Sequence, residues 1–499
     1  MAQFPHRVDL TDAEFPLLTQ ELGRTVMVSS FKESSTGEKV NTPQIAYMHN
    51  VMPTKRGLVS VGYEEVIPAA ADHAITLFTD QRIIYGDAGS RIDLAYTSDG
   101  HYYALEPGDV AWRHLTTHPT LAAGDIITVG KVKGISYIHV QNTGTYKYDE
   151  VTHDLSIVVL TGIVIAGIIG IVGSSGYLLA YNDFSLAWSS TIDPLDFTPS
   201  AITGAGSGAV AGIEGVMRFI VPNSLGLLIY TSHNVVAATY TGNKQYPFKF
   251  RPVDNSKGAL SLDHIAYESN STEQYAYTTG GLHRISSRVA VPVLPEVTDF
   301  LAGKQLEDFD EVTSTFSVTD LTVAMKKKLK LIASRYLLLT YGITEFTHAL
   351  VYDIALNRVG KLKLTHVDCF EHIGAQLEVS KESIAFLLNT GAVQVVRFSV
   401  PYATRTGVLM LGKFQYRRNR HLVLHQVLTE NVAQTDAFSF IDRVALDGIN
   451  YTDKVGTETS ITNSRKFNLV SSGINHFLLF VGKFNLSTLE LLFALGGKR

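Results

Sequence analysis

A run without charge constrains this chain more than any other feature. From Leu155 to Asn182 there is no Lys, Arg, Asp or Glu. Within it, IVVLTGIVIAGIIGIVG has the length of a membrane span. Its residue types point elsewhere. Ile157, Val158, Val159, Ile163, Val164, Ile165, Ile168, Ile169, Ile171 and Val172 are β-branched, and such side chains favour strands. Gly162, Gly167, Gly170, Gly173 and Gly176 divide the run into strand-length pieces. No Lys or Arg flanks it closely, so the charge that orients a span is missing. The run predicts buried strands and no membrane anchor.

The next stretch, Gly176–Ser200, reads as strand, turn, strand and rigid loop. Asn182-Asp183 is turn chemistry, because both side chains bond their own backbone. Phe184, Leu186 and Trp188 then alternate with Ser185, Ala187 and Ser189, the period of a half-buried strand. Asp193, Pro194, Asp196 and Pro199 fix the loop that follows, and Phe197 is placed to fold back on the hairpin. Trp188 and Phe197 read as packing residues, and Asp193 and Asp196 as loop-fixing carboxylates rather than an acid/base pair. Such a unit suits one blade of a propeller.

The same pattern spreads along the chain. From about residue 70, short β-rich runs are separated by Asp-Gly, Gly-Asp and Asn-Thr-Gly signals. The order recurs at roughly 40 to 60 residues, near blade length but irregular. Residues 294–312 are acidic and compatible with a helix. From Tyr402 onward strong alternation predicts a sandwich. The expected fold is all-β: an irregular β-propeller core over 61–400, an additional C-terminal β-sandwich-like region over 401–499, and an N-terminal arm over 1–60. The arm joins another element of the fold or a neighbouring subunit, or is a partly ordered tail.

Charge and cysteine content narrow the function. Only 18% of residues are charged, against about 25% in typical soluble chains, which fits large buried sheets or subunit contacts. A net charge of −5 excludes the global basic field of an autonomous DNA-binding protein. Cys369 is the single cysteine, so no intrachain disulfide forms. The first residues contain no apolar core of a signal peptide.

No motif carries catalytic chemistry, and no cofactor is expected. Gly204, Gly206 and Gly208 lack the preceding strand and third glycine of a dinucleotide loop, and read as a flexible connector. His366, Asp368 and His372 share one face if extended, opposite Cys369 and Glu371. They are too far apart for one metal ion without a bend. His421 and His425 lack the glutamate of a metalloprotease helix. Thr97-Ser98-Asp99-Gly100 departs from the propeller sialidase box, because its Asp and Gly are adjacent. Two basic clusters, Lys326, Lys327, Lys328 with Lys330, and Arg417, Arg418 with Arg420, are candidate DNA or subunit contacts or solvated faces.

Several stretches resemble the tail nozzle proteins of short-tailed bacteriophages, also called packaged-DNA stabilisation proteins. They are AWSSTIDPLDFTPS (187–200), TGAGSG (203–208), FKFRPVDNSKGALS (248–261), TTGGLHRIS (278–286) and GVLMLGKFQYRRNR (407–420). The resemblance implies a β-propeller virion protein assembled in the host cytoplasm and located in the tail. It implies a ring homo-oligomer, usually a hexamer, below the portal and the adaptor or head–tail connector protein. Such a ring meets a tail fibre or needle, extends the channel for packaged double-stranded DNA, and closes it until ejection. The alternative on the same fold class is a carbohydrate-binding or depolymerising propeller that acts as a receptor-binding tail protein.

Overall fold

The computed structural model describes residues 3–10, 26–28, 45–67, 82–87, 92–96, 102–105, 109, 111–116, 126–149, 151–266, 271–295, 297, 306–310, 315–319, 328–333, 336–371, 383–390, 392–398, 406–416, 421–431, 438–445, 450–461 and 464–495. They form an all-β molecule with a propeller and a sandwich.

Six separate four-stranded antiparallel sheets, and a seventh quartet at one end of a larger sheet, make the blades. Blades one to five follow the chain in order, from Arg82–Asp87 to Ala290–Pro292. After the hairpin of Leu306–Asp310 and Thr315–Thr319 comes the sixth, from Lys328–Ala333 to Arg358–His366. The seventh contains Asp368–Glu371, Ser383–Leu387 and Val393–Arg397. Its fourth strand, Gly62–Ile67, comes from the other end of the chain.

First strands of successive blades touch in a ring. Asp368–Glu371 meets Arg82–Asp87, which meets Ile127–Val132; that strand meets Gly170–Ser174, which meets Met217–Asn223. Blades four and five share a core of Leu228, Tyr230, Ile265 and Ile285. Ile265–Ala266 then meets Lys328–Ala333, which returns to Asp368–Glu371. Among the described residues the ring closes with seven blades, fastened by a strand that precedes its first blade. Blade closure of this kind leaves only short edges.

The N-terminal arm joins the C-terminal sandwich. Gln3–Asp9 pairs antiparallel with Asn485–Leu495. Val26–Val28 and Ile45–His49 both pair with Gly407–Tyr416. The hairpin of Val51–Thr54 and Gly57–Ser60 links the sixth blade, at Lys361↔Val51, to Asn485–Leu495, at Leu486↔Leu58. One layer thus runs from blade six through this hairpin to Leu422–Asn431 and Ser464–Gly473. The facing layer holds Gly407–Tyr416, Asn475–Gly482 and Phe438–Ala445. Phe438, Phe440, Phe467, Phe480, Phe484 and Phe493 fill the space between. Phe440 and Phe480 lie 5.2 Å apart between ring centres, within aromatic packing range.

Three local expectations are corrected. The charge-free run yields two buried strands, Gly170–Ser174 and Tyr177–Tyr181, but residues 159–169 are a crossing segment between blades two and three. Leu160, Ile163, Ile165 and Ile168 pack against a core containing Tyr137, Leu178 and Phe197, while Val159 and Val164 remain exposed. The crossing joins an outer strand to the next inner strand and pairs through the isolated Thr161↔Asp196 bridge rather than as a ladder strand. Gly206–Ala209 is a strand, not a flexible connector. In the acidic stretch compatible with a helix, Pro295 and Val297 are helical, whereas Leu306–Asp310 is a strand of a hairpin. Among the described residues, no helix is long and apolar enough to cross a membrane.

Candidate functional site

The third blade assembles a distinctive aromatic surface among the described residues. Its first hairpin turns at Ser175 and Gly176, both at positive φ (53° and 83°), as a two-residue primed turn requires. Tyr177–Tyr181 and Ser185–Trp188 form its two middle strands. Asn182 Oδ1 accepts from the Ser185 backbone N–H at 2.8 Å, which fixes the turn between them.

The loop after Trp188 is held by its own side chains. Asp193 Oδ1 accepts from Leu195 N–H at 2.9 Å, and Asp196 Oδ1 from Thr198 N–H at 2.9 Å. Hydrogen bonds from the Thr198 side chain and backbone hold the Asp196 carboxyl below the usual range. Pro194, between the two Asx turns, is half-buried. Phe197 N–H donates to Thr161 O at 2.8 Å, and its 1% exposed ring sits with Leu178, Ala180 and Ala187 of the hairpin and Tyr137 of blade two.

A small residue is then favoured at Gly206 of the fourth strand. The Trp188 indole lies across Gly206 and Gly208. A Cβ at Gly206 would stand 3.0 Å from Trp188 Cζ2, tighter than ordinary van der Waals contact. The glycine at 206 therefore reflects the ring beneath it, whereas a Cβ at Gly208 would stand 3.8 Å from that ring, an ordinary contact. Between this strand and the last turn of blade four lies a cleft of about 520 Å³, within the size range of ligand sites. Trp188, Pro199, Tyr246, Phe248 and Phe250 supply its apolar walls, and Ser207 and Gln245 its polar groups; among the described residues, no charged side chain lines it. Tyr246 is 72% exposed, whereas Trp188 is 9% exposed. The aromatic spacing of Tyr246, Phe248 and Phe250 was visible in the sequence. Their meeting with Trp188 depends on blade-to-blade packing, for which no local signal exists.

The basic and metal candidates are distributed differently. Lys330 lies on the first strand of blade six, facing Asp368 on the first strand of blade seven in a buried ion pair. Burial opposes its charge, but the Asp368 carboxylate outweighs that and raises the Lys330 pKa. Lys330 is thus separated from the basic run and turned into the protein. Lys328 begins the same strand; Lys326, Lys327, Arg417, Arg418 and Arg420 lie outside the described residues.

His366 and Asp368 end one strand and begin the next. The His366 ring stacks on Phe346 and meets the edge of Phe386, with centroids 5.3 and 4.9 Å away. Its Nδ1 donates to Leu364 O at 2.7 Å. Burial pushes its pKa down to about 3, so it is neutral. Burial pushes the Cys369 thiol up to about 12. His372 lies outside the described residues. His425 falls at a strand irregularity, between Leu424 and Gln426. Among the described residues, no three His, Cys, Asp or Glu gather as a metal site.

One buried pair had no sequence signal. In the sandwich, His476 Nδ1 lies 2.7 Å from Asp442 Oδ2, and Nε2 lies 3.2 Å from Leu422 O. Both groups are fully buried. Two acceptors on two ring nitrogens require an imidazolium. Burial opposes that charge, but Asp442 and the carbonyls prevail and raise the His476 pKa.

No family model matches the sequence, and no curated protein does. Among solved structures the chain is similar to YCF48 bound to D1 peptide, with a TM-score of 0.36 and 11% identity over 69% of this chain and 98% of that one.

Proposed function

We propose that this chain is a structural virion protein, a non-enzymatic tail nozzle of a short-tailed bacteriophage. It forms a ring homo-oligomer, a hexamer by the resemblance, below the portal and adaptor. The ring extends the DNA channel and retains packaged double-stranded DNA until ejection, with a tail fibre or needle as its distal partner. It assembles in the host cytoplasm and resides in the virion tail. The supporting observation is where the resembling stretches fall. Residues 187–208 are the third strand, loop and fourth strand of one blade. Residues 248–261 are the outer strand of the next and its crossing to blade five. Residues 278–286 cover the turn and third strand of blade five, and 407–420 begin with a central sandwich strand. Those up to residue 286 lie in blades three to five, and the last lies in the sandwich.

The test is assembly of the purified protein, read by light scattering and negative-stain electron microscopy, alone and with adaptor rings. Rings that cap the adaptor are expected. A strictly monomeric protein that joins neither adaptor rings nor particles overturns the reading. A second reading, a carbohydrate-binding propeller, is favoured by the aromatic cleft of Trp188, Tyr246 and Phe250. Absence of both binding to and cleavage of host surface polysaccharide removes it.

A further inference from the structure

The outer strand of each blade is a sheet edge, and exposed edges recruit foreign strands unless charge, proline or a cover blunts them. Six of the seven blades carry such protection. Blade one ends on Arg113–His114, and blade two on Asp154–Val158, which opens with an acid. Blade four ends on Phe248–Pro252, with Lys249 and Arg251, and blade five on Ala290–Pro292. The outer strand of blade six is covered by Val51–Thr54, and that of blade seven carries Glu64 and Glu65. Gly206–Ala209, of sequence GSGA, has neither charge nor proline.

The hydrogen-bond register shows which backbone groups this edge offers. Val210 N–H donates to Phe184 O at 3.0 Å, and the ladder continues as Ser185↔Ala209, Leu186↔Gly208, Ala187↔Ser207 and Trp188↔Gly206. Bonded and non-bonded pairs alternate in an antiparallel ladder. Gly206 and Gly208 therefore bond inward to the blade, while the N–H and C=O of Ser207 and Ala209 point outward. Ala205 O, next in the same phase, is taken by Ser200 N–H at 3.0 Å. Ser207 and Ala209 are exposed. Their outward groups are spaced by two residues, about 6.6–6.8 Å, the repeat of an extended chain.

The cleft of about 520 Å³ lies against this edge. Its uncharged lining selects against charged occupants, because a charge placed there loses water without gaining a partner. Its aromatic walls suit one flat or branched apolar side chain. We propose that the outer edge of blade three docks an extended, uncharged peptide segment of a partner protein. The segment adds as a fifth strand through Ser207 and Ala209 and seats an aromatic side chain among Trp188, Tyr246 and Phe250. Backbone bonds supply affinity and the cleft supplies selectivity, as in other strand-addition complexes.

The experiment uses the full chain and a fluorescein-labelled peptide, Gly-Thr-Tyr-Thr-Phe-Thr-Tyr-Gly, followed by anisotropy. Saturable binding is expected. A matched peptide N-methylated at alternate amides, which keeps the side chains but blocks strand pairing, is expected to bind at least about tenfold more weakly, the loss of one to two hydrogen bonds. Ser207→Pro and Ala209→Lys are expected to weaken the parent peptide by a similar factor. Both leave the melting temperature unchanged, since the outward groups bond nothing within the blade; if the proline disturbs folding, Ala209→Lys carries the test. No saturable binding overturns the proposal, as does binding indifferent to N-methylation and to Ala209→Lys. Maltohexaose that binds the cleft where the peptide does not also overturns it, in favour of a glycan site.

Discussion

Trp188→Ala is the most informative single perturbation of the third blade. The indole is 9% exposed and packs with Tyr177, Leu179, Leu186 and Val210. Truncating a buried tryptophan costs about 3–5 kcal/mol, part of it from the cavity left behind. Here the void opens into the neighbouring cleft, so it is not sealed, and the cost belongs at the low end, about 3 kcal/mol. The indole Nε1 is buried without an acceptor. Losing that donor therefore removes no bond, and Trp188→Phe, which keeps one aromatic ring in the site, is expected to cost less than Trp188→Ala. Urea denaturation followed by far-ultraviolet circular dichroism reads both variants as shifts of the midpoint at constant slope. An unchanged midpoint for Trp188→Ala would mean that the ring lies on a surface and contributes no packing. Equal losses for the two variants would mean that the N–H makes a bond the fold needs.

Three further outcomes follow from the buried polar groups and the close approaches. The His476–Asp442 pair stabilises the sandwich fully below the ordinary imidazole range, because the folded pKa is raised, and the contribution is lost as pH climbs through that raised value; Asp442→Asn should flatten this slope in urea midpoints measured across neutral and alkaline pH. Removing one partner of the Lys330–Asp368 pair, as in Asp368→Asn, strands a buried ammonium and should cost about 3–5 kcal/mol, whereas Lys330→Met with Asp368→Leu should recover most of it in the same denaturation assay. Gly173→Ala would place a Cβ 2.0 Å from Lys131 O, a backbone atom that cannot rotate away, and should cost about 3 kcal/mol, seen as a lowered midpoint.

The β class and the turn-punctuated propeller were legible because strand alternation and turn chemistry are local. What the sequence concealed depended on neighbours distant in the chain. Gly206 and Gly208 look like a linker until Trp188 is placed beneath them. Gly170 and Gly173 look like strand breakers, yet both lie within Gly170–Ser174, where a Cβ would strike Thr128 or Lys131 of blade two. Lys330 reads as the end of a solvated basic run, because its partner Asp368 belongs to another blade. The strand Gly62–Ile67 reads as ordinary β sequence; its closing role exists only once Val393–Arg397 arrives beside it. The pairing of Tyr246 with the third blade was hidden for the same reason.

The propeller and the sandwich are bound together by the way the chain passes between them. Residues 45–67 give strands first to one sandwich layer, then to the hairpin beside blade six, then to blade seven. Asn50 fastens that passage at both ends: its Oδ1 accepts from Lys363 N–H of blade six at 2.9 Å, and its Nδ2 donates to Thr406 O, before the first long C-terminal strand, at 3.1 Å. Arg358 of the same blade donates to Thr54 O and Leu10 O at 3.2 and 3.3 Å. At Gly57 the hairpin runs so close to the last strand that a Cβ would lie 2.0 Å from Leu486 O, and its φ of 134° is one that other residues rarely adopt. Separating the two bodies would require breaking the strand that closes the propeller ring or the strands that complete the sandwich, because one short segment supplies both. Force applied to the sandwich is therefore carried into blades six and seven through paired backbone rather than through a linker.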